Sequence, residues 1–256
     1  NKMAYNEFAY FYDEFNGEAD YDALFRYVDG ELRRHGQTHG IVLDLGCGTG
    51  DLTLMLTQAG YDMIGVDQSE EMLAVLRDKA DQLGLLDRLL LLKQDILSLD
   101  LYGTIGAAIS TFDTYNHIPP QQFQAAIAKA GFFMEKGGVF VFDLNTPYKH
   151  QQILADGHFS VETPDACCQW DSRYDPDAGR VDLNVHIHYD ETNESFEEHF
   201  CEYTYSLPQV RSALEQCGFQ LEQVQDGETF GPLREDSQRM ILTAVKQYTQ
   251  LQSGRQ

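Results

Sequence analysis

Three glycines, Gly46, Gly48 and Gly50, alternate with Cys47 and Thr49 between the apolar run Ile41-Val-Leu-Asp-Leu45 and a helical-looking stretch, Asp51 to Gln58. Glycine allows a tight turn and lets backbone approach a ligand with no Cβ in the way. Free N–H groups at a helix start favour a carboxylate or phosphate. Two acids flank this turn: Asp44 stands inside the run before it, and Asp67 ends the next run, Met63-Ile-Gly-Val-Asp67, 23 positions later. A carboxylate in that second place can accept hydrogen bonds from ribose hydroxyls. Carboxylates at the ends of apolar strands are costly without a partner, which favours a ligand role for both. The spacing is GxGxG and departs from the GxGxxG of the dinucleotide fingerprint.

The elements that must position these groups follow from periodicity. Further strands are expected at Leu89–Lys93, Ile105–Ser110 and Val139–Leu144, with Gly137-Gly138 turning into the last. Helices are expected at Asn6–Phe15, Tyr21–His35, Glu70–Leu83, Phe123–Met134 and Pro208–Cys217. Strands alternating with helices imply a parallel sheet that binds ligands beyond the carboxyl ends of its strands. The predicted fold class is α/β, a doubly wound, mostly parallel, seven-stranded, Rossmann-like sheet. Leu221–Val224 and Met240–Lys246 complete it. From about Tyr148 to Tyr205 the pattern changes. Val181 to Tyr189 alternates strictly, and Phe196 to Tyr205 reads as its returning strand, so a small antiparallel β insertion is expected. The predicted domains are 1–147 with 206–256, and an inserted subdomain at 148–205 serving as lid, substrate contact or dimer contact.

The chain has 256 residues, 43% of them hydrophobic, and a formal charge of −23 from 18 Lys plus Arg against 41 Asp plus Glu. So acidic a surface repels a phosphate backbone and argues against nucleic acid and anionic membranes as partners. No apolar run reaches the length of a membrane span, and the first 25 residues lack a basic start or greasy centre, so a cytoplasmic location is expected. Five cysteines (Cys47, Cys167, Cys168, Cys201 and Cys217) form no CxxC pair or zinc-type Cys/His spacing, and free thiols are expected. His186 and His188 share one strand face and could mimic a metal pair, but a solvated face is the stronger reading.

At Asp44-x-Gly46-x-Gly48-x-Gly50 and Gly65-Val-Asp67-Gln-Ser69-x-x-Met72-Leu73 the chain resembles the class I S-adenosylmethionine-dependent methyltransferases. Gln94-Asp95-Ile96 looks like that family's adenine-binding step. Phe8-Ala-x-x-Tyr12-Asp13 and Leu144-Asn-Thr-Pro-Tyr148 are similar to a bacterial subgroup acting on small molecules. The resemblance implies S-adenosylmethionine as cofactor and S-adenosylhomocysteine as product. It implies backbone at Gly46, Cys47 and Gly48 against the methionine moiety, Asp44 near its amino group, and Tyr12 at its carboxylate. Asp67 would take the ribose diol. Gln68 and Met72 would border adenine, Asp95 and the Ile96 amide would hydrogen-bond it, and Phe112 would lie near the sulfur. Gln68 is polar where that family is often apolar.

Methyl transfer from a sulfonium needs alignment and exclusion of water, since its leaving group is already activated. It requires no metal, and no metal ligands are assigned. A base helps only if the acceptor arrives protonated. Candidates lie in Thr111-Phe-Asp-Thr-Tyr-Asn-His117, chiefly His117, which equally suits a structural loop role, with Asp113 and Tyr115 behind it. Asn116, Tyr148 and Trp170 are candidate acceptor contacts, against turn capping for the first and ordinary packing for the other two. The alternatives are a catalytically silent S-adenosylmethionine-binding protein and an NAD(P)-dependent oxidoreductase.

Overall fold

The computed structural model describes residues 19–248. Short runs of branched aliphatics, buried on both faces, form its central strands. Along the chain come α1 (Tyr21–Arg34), β1 (Ile41–Leu45), α2 (Asp51–Gln58), β2 (Asp62–Asp67), α3 (Glu70–Gln82), β3 (Leu89–Lys93) and β4 (Ile105–Ser110). Next are α4 (Pro120–Phe132), β5 (Met134–Asn145), β6 (Asp156–Glu162), β7 (Ala166–Asp175), β8 (Arg180–Tyr189) and β9 (Glu194–Tyr203). The described chain closes with α5 (Leu207–Gln216), β10 (Phe219–Asp226) and β11 (Arg239–Lys246). The expected helix at Asn6–Phe15 and the candidate Tyr12 lie outside the described residues.

Seven strands form one sheet in the order β10-β11-β5-β4-β1-β2-β3. β1 to β5 run parallel, and β10 and β11 close one edge antiparallel. Winding starts at β1, proceeds outward to β3, and returns across the sheet to β4. The carboxyl ends of β1 and β4 therefore flank the switch point, where such sheets bind ligands. One face packs Val28 and Leu32 of α1, Leu52 and Leu56 of α2 and Leu76 of α3 against Val42, Met63 and Ile109. The opposite face packs Phe123 and Ile127 of α4 and Val210 and Leu214 of α5 against Leu43, Phe140 and Leu242.

Local sequence explains the helix ends. Asp20 and Ser69 accept from the amides of Ala23 and Met72 at the starts of α1 and α3. Ser206 and Gln209 make a reciprocal capping box at α5. α4 begins at Pro120, three residues before the expected start, because Pro suits a first helical position. β5 reaches back to Met134, past Gly137 at φ +88°, with a register shift opposite β4.

The expected hairpin is two strands of a second sheet, ordered β6-β7-β8-β9 and wholly antiparallel. β6 exposes most of its positions, so it lacks the apolar alternation by which β8 was recognised. Val181, Leu183, Val185 and Ile187 put one face of β8 into small apolar clusters. Asp182, Asn184, His186 and His188 stand on the other. His186 meets Glu197 at 3.1 Å and His188 meets Ser195 at 2.8 Å, each across the strand pair. All five cysteines are free. No helix among the described residues is long and apolar enough to cross a membrane.

Candidate active site

A cavity of about 800 Å³ opens beyond the carboxyl ends of β1, β2 and β4 and continues beneath the second sheet. At its floor the glycine turn is held by two bonds, the amides of Gly46 and Cys47 both donating to the Val66 carbonyl. Gly46 and Gly50 have φ of +73° and +83°, where side chains are rarely tolerated. A Cβ on Gly46 would come within 2.5 Å of the Thr114 methyl, and one on Gly50 would run into the Leu76 methyls. Protein thus excludes a side chain at Gly46 and Gly50, while the backbone of Gly46 and Gly48 lines the cavity wall.

Asp67 sits at the end of β2 with both oxygens engaged. Gly48 donates to Oδ2 at 3.0 Å and Ser69 to Oδ1 at 2.8 Å. Burial raises its pKa against the pull of these bonds. Asp44 is more deeply buried, and burial pushes its carboxyl up to about 7, opposed by a 2.6 Å bond from the Thr53 hydroxyl. Asp44 faces α2 behind the turn and does not line the cavity. Cys47 also lies behind it, packed beside Gly65. Around Asp67 the wall is formed by Gln68, Met72, Asp95, Ile96 and Leu97. Asp95 caps the one-turn helix Ile96–Ser98, its Oδ1 accepting from the Leu97 amide at 2.8 Å.

Phe112 and Asp113, just past β4, both adopt positive φ, +58° and +55°. Such strain persists only where the surroundings enforce it. Here the buried Asp143 of β5 enforces it, accepting from the Phe112 amide at 2.8 Å and the Asp113 amide at 2.7 Å. The turn presents the Phe112 ring to the cavity, with the Arg239 guanidinium 5.3 Å above it. Arg239 also meets Asp113 at 3.2 Å.

His117 faces Asp113 at 3.7 Å, and its Nδ1 lies 3.0 Å from the Cys201 carbonyl of β9, to which it donates. Burial would lower its pKa, but Asp113, Glu202 and the Cys201 carbonyl together raise it to about 9. Asp113 goes the other way: burial is outweighed by His117 and Arg239, and its pKa falls to about 2. At neutral pH these are an imidazolium and a carboxylate, so neither is poised to take a proton. Tyr115 is fully buried and donates to the Ala126 carbonyl. Burial raises its pKa as well.

Of the remaining candidates, Trp170 lines the cavity roof with Phe159, Leu183, Val185 and Phe200. Asn116 does not line it. Its amide is spent on backbone, donating to Tyr203 at 3.1 Å and accepting from Asn145 at 2.8 Å, so it ties β5 to the second sheet. Tyr148 stands at the start of the wide turn Lys149–Ile153, also off the wall. Sequence reading missed Asn145, Lys149, Glu202 and Arg239, all of which line it. Asn145 donates to Glu202 at 2.7 Å, while its buried Oδ1 has no hydrogen-bond partner. A buried acceptor left open on a cavity wall is a place for a donor from a ligand.

Residues 42–138 match the family model of the methyltransferase domain. The Bacillus subtilis protein YqeM, provisionally named a methyltransferase, is 27% identical over 96% of this chain and 99% of its own. A solved S-adenosylmethionine-dependent methyltransferase from Clostridium acetobutylicum superposes with a TM-score of 0.84 at 23% identity, covering 95% of this chain and 99% of its own. The sugar N-methyltransferase KedS8 from Streptoalloteichus superposes at 0.74 with 21% identity, covering 92% of each chain. With the glycine turn, the acid closing β2 and the sheet order described above, the chain carries a methyltransferase-domain match over residues 42–138 and shares the fold of S-adenosylmethionine-dependent methyltransferases, to which it is similar over nearly its whole length.

Proposed function

We propose that this chain transfers a methyl group from S-adenosylmethionine to a small-molecule acceptor held beneath the second sheet. The carrying observation is a single cavity shared by the glycine turn, Asp67 and the apolar roof of the second sheet. The cradle suits the cofactor on its own chemistry. Two buried carboxylates, both pushed up by burial, favour a ligand bringing donors and positive charge. Asp67 retains lone pairs for hydroxyls, and Met72, Ile96 and Leu97 offer an apolar slot beside it. Gln68 and Asp95 edge that slot, and Asp95 Oδ2 with the Ile96 amide would hydrogen-bond the heterocycle. Asp44 acts through the turn and through water, not by direct contact.

Bound there, S-adenosylmethionine supplies a methyl group on a positively charged sulfur that leaves as a neutral thioether. The chain's residues align and enclose. Phe112 is held rigidly by Asp143, and rigidity near the reacting atoms is what positioning requires. Asn145 Oδ1 and Glu202 receive a donor-bearing acceptor, while Phe159, Trp170 and Phe200 exclude water. His117, charged at neutral pH, holds Asp113 and β9 in place. This reading assigns cofactor binding to 1–147 with 206–256 and the acceptor cover to 148–205.

Calorimetric titration with S-adenosylmethionine, S-adenosylhomocysteine and NAD(P) tests it, followed by radiolabelled methyl transfer to a panel of small amines and alcohols. Binding of both sulfur nucleosides with turnover is expected. Binding of NAD(P) alone would overturn the cofactor, and binding without turnover would leave a silent binding protein.

A further inference from the structure

β8 and β9 pair so that Asp182 lies opposite Cys201 and Asn184 opposite His199. Side chains directly opposite in an antiparallel pair share a face, so all four stand on one side, together with His186 and Glu197. This is the face turned away from the apolar cluster of Val181, Leu183 and Val185. Three potential ligand atoms converge there. Cys201 Sγ is 3.3 Å from Asp182 Oδ1, His199 Nε2 is 3.6 Å from the same oxygen, and Sγ is 3.7 Å from Nε2.

That triangle has the dimensions of a metal site. With bond lengths of about 2.3 Å to sulfur and about 2.1 Å to nitrogen and oxygen, tetrahedral geometry separates ligand atoms by about 3.3 to 3.6 Å. A supporting contact fixes the histidine for the task. Its Nδ1 lies 2.8 Å from Asn184 Oδ1, an acceptor, so Nδ1 carries the hydrogen and Nε2 presents a lone pair to the other two ligands. Mixed nitrogen, sulfur and oxygen donors in a tetrahedral array suit zinc above calcium or magnesium.

We propose that Asp182, His199 and Cys201 bind a zinc-class divalent cation on the polar face of the second sheet, at its β9 edge where His199 and Cys201 also border the cavity, with water as the fourth ligand. Binding replaces the thiol proton, which leaves to solvent, and the ion meets a thiolate, a carboxylate and a neutral imidazole. Arg180 Nε lies 3.3 Å from the same Asp182 oxygen and competes with the ion, which limits affinity. Two ligands sit on β9, whose Cys201 carbonyl holds His117 and whose Glu202 holds Asn145. The ion therefore staples β8 to the strand that borders the acceptor chamber.

The test uses the metal-stripped full chain titrated with Zn²⁺ and, separately, with Co²⁺ as spectroscopic probe. One tightly bound Zn²⁺ per chain is expected, with a thiolate-to-cobalt charge-transfer band in the near ultraviolet. Cys201→Ser should abolish that band, and His199→Ala and Asp182→Ala should each weaken Zn²⁺ binding by more than about tenfold. Asn184→Ala should weaken it about 10- to 100-fold by releasing the tautomer. His186→Ala, on the same face, should leave binding unchanged. All five positions are on the polar side of the sheet, and circular dichroism checks that each variant is folded. Stoichiometric binding undiminished in an Asp182→Ala/His199→Ala/Cys201→Ser triple variant overturns the proposal, as does failure of the wild type to bind Zn²⁺ at micromolar concentration.

Discussion

Asp67 uses the same two oxygens to hold the glycine turn and, in the proposed function, to receive ribose hydroxyls. Its truncation should therefore be felt twice. Asp67→Ala is expected to weaken S-adenosylmethionine binding by about 10- to 100-fold, the worth of hydrogen bonds to a charged group. Calorimetry measures it, and unchanged affinity removes Asp67 from the ribose role. His117 carries a pH signature. Its pKa is raised to about 9 from 6.5, so its contribution to stability is complete below 6.5 and lost as pH rises through 9. Asp113, lowered to about 2, contributes above 3.8 and loses its share only as pH falls through 2. The pair thus stabilises most between about pH 4 and 6.5. His117 is 40% exposed, so water screens the pair and the effect is modest. The melting-temperature gap between wild type and His117→Gln should narrow from pH 6 to pH 10; a constant gap would show that Asp113 does not hold the imidazolium. Asp113 was not readable as the partner of His117 beyond its nearness in sequence, because the pairing depends on a left-handed turn that residue type does not announce.

At the scale of elements, the glycine turn and the Phe112-Asp113 turn achieve rigidity by opposite means. The first uses residues that adopt positive φ freely, and the second uses ordinary residues forced there by Asp143. Gly50 and Gly84 separate conformation from crowding. Both have positive φ, but a Cβ meets nothing within 4 Å at Gly84, whereas at Gly50 it meets the buried Leu76. Gly84→Ala should cost about 1 to 2 kcal/mol for the left-handed backbone alone. Gly50→Ala should cost about 1 to 3 kcal/mol more from overpacking. Urea unfolding measures both, and equal losses would mean that Leu76 yields without cost. The five parallel strands and five described helices were legible because each carries a strong apolar period or a capping residue. β6 and β7 were not, since β6 exposes most of its positions and β7 mixes exposed with half-buried ones, which leaves little alternation to read.

Across the whole molecule, the second sheet makes the site a chamber and brings Trp170, the sole tryptophan, onto its wall. Saturating cofactor together with an acceptor should therefore shift or quench tryptophan emission. Unchanged emission at saturation would place the acceptor away from that roof. Before any fold is known, residue order establishes the glycine turn, its two acids, the parallel sheet and the resemblance to a methyltransferase family, since all depend on spacings within one strand–turn–helix unit or its successor. Tertiary structure alone decides which acid meets the cavity. Asp67 does, while Asp44 turns back to Thr53 across α2. It also brings Arg239 to Asp113 across 126 positions, Glu202 to Asn145 across 57, and Asp182 to His199 and Cys201 between paired strands. Local spacing encodes backbone shape because the forces behind it act within a few residues. Charge pairing and ligand geometry arise only when sheet register and chain crossover set distant side chains a few ångströms apart.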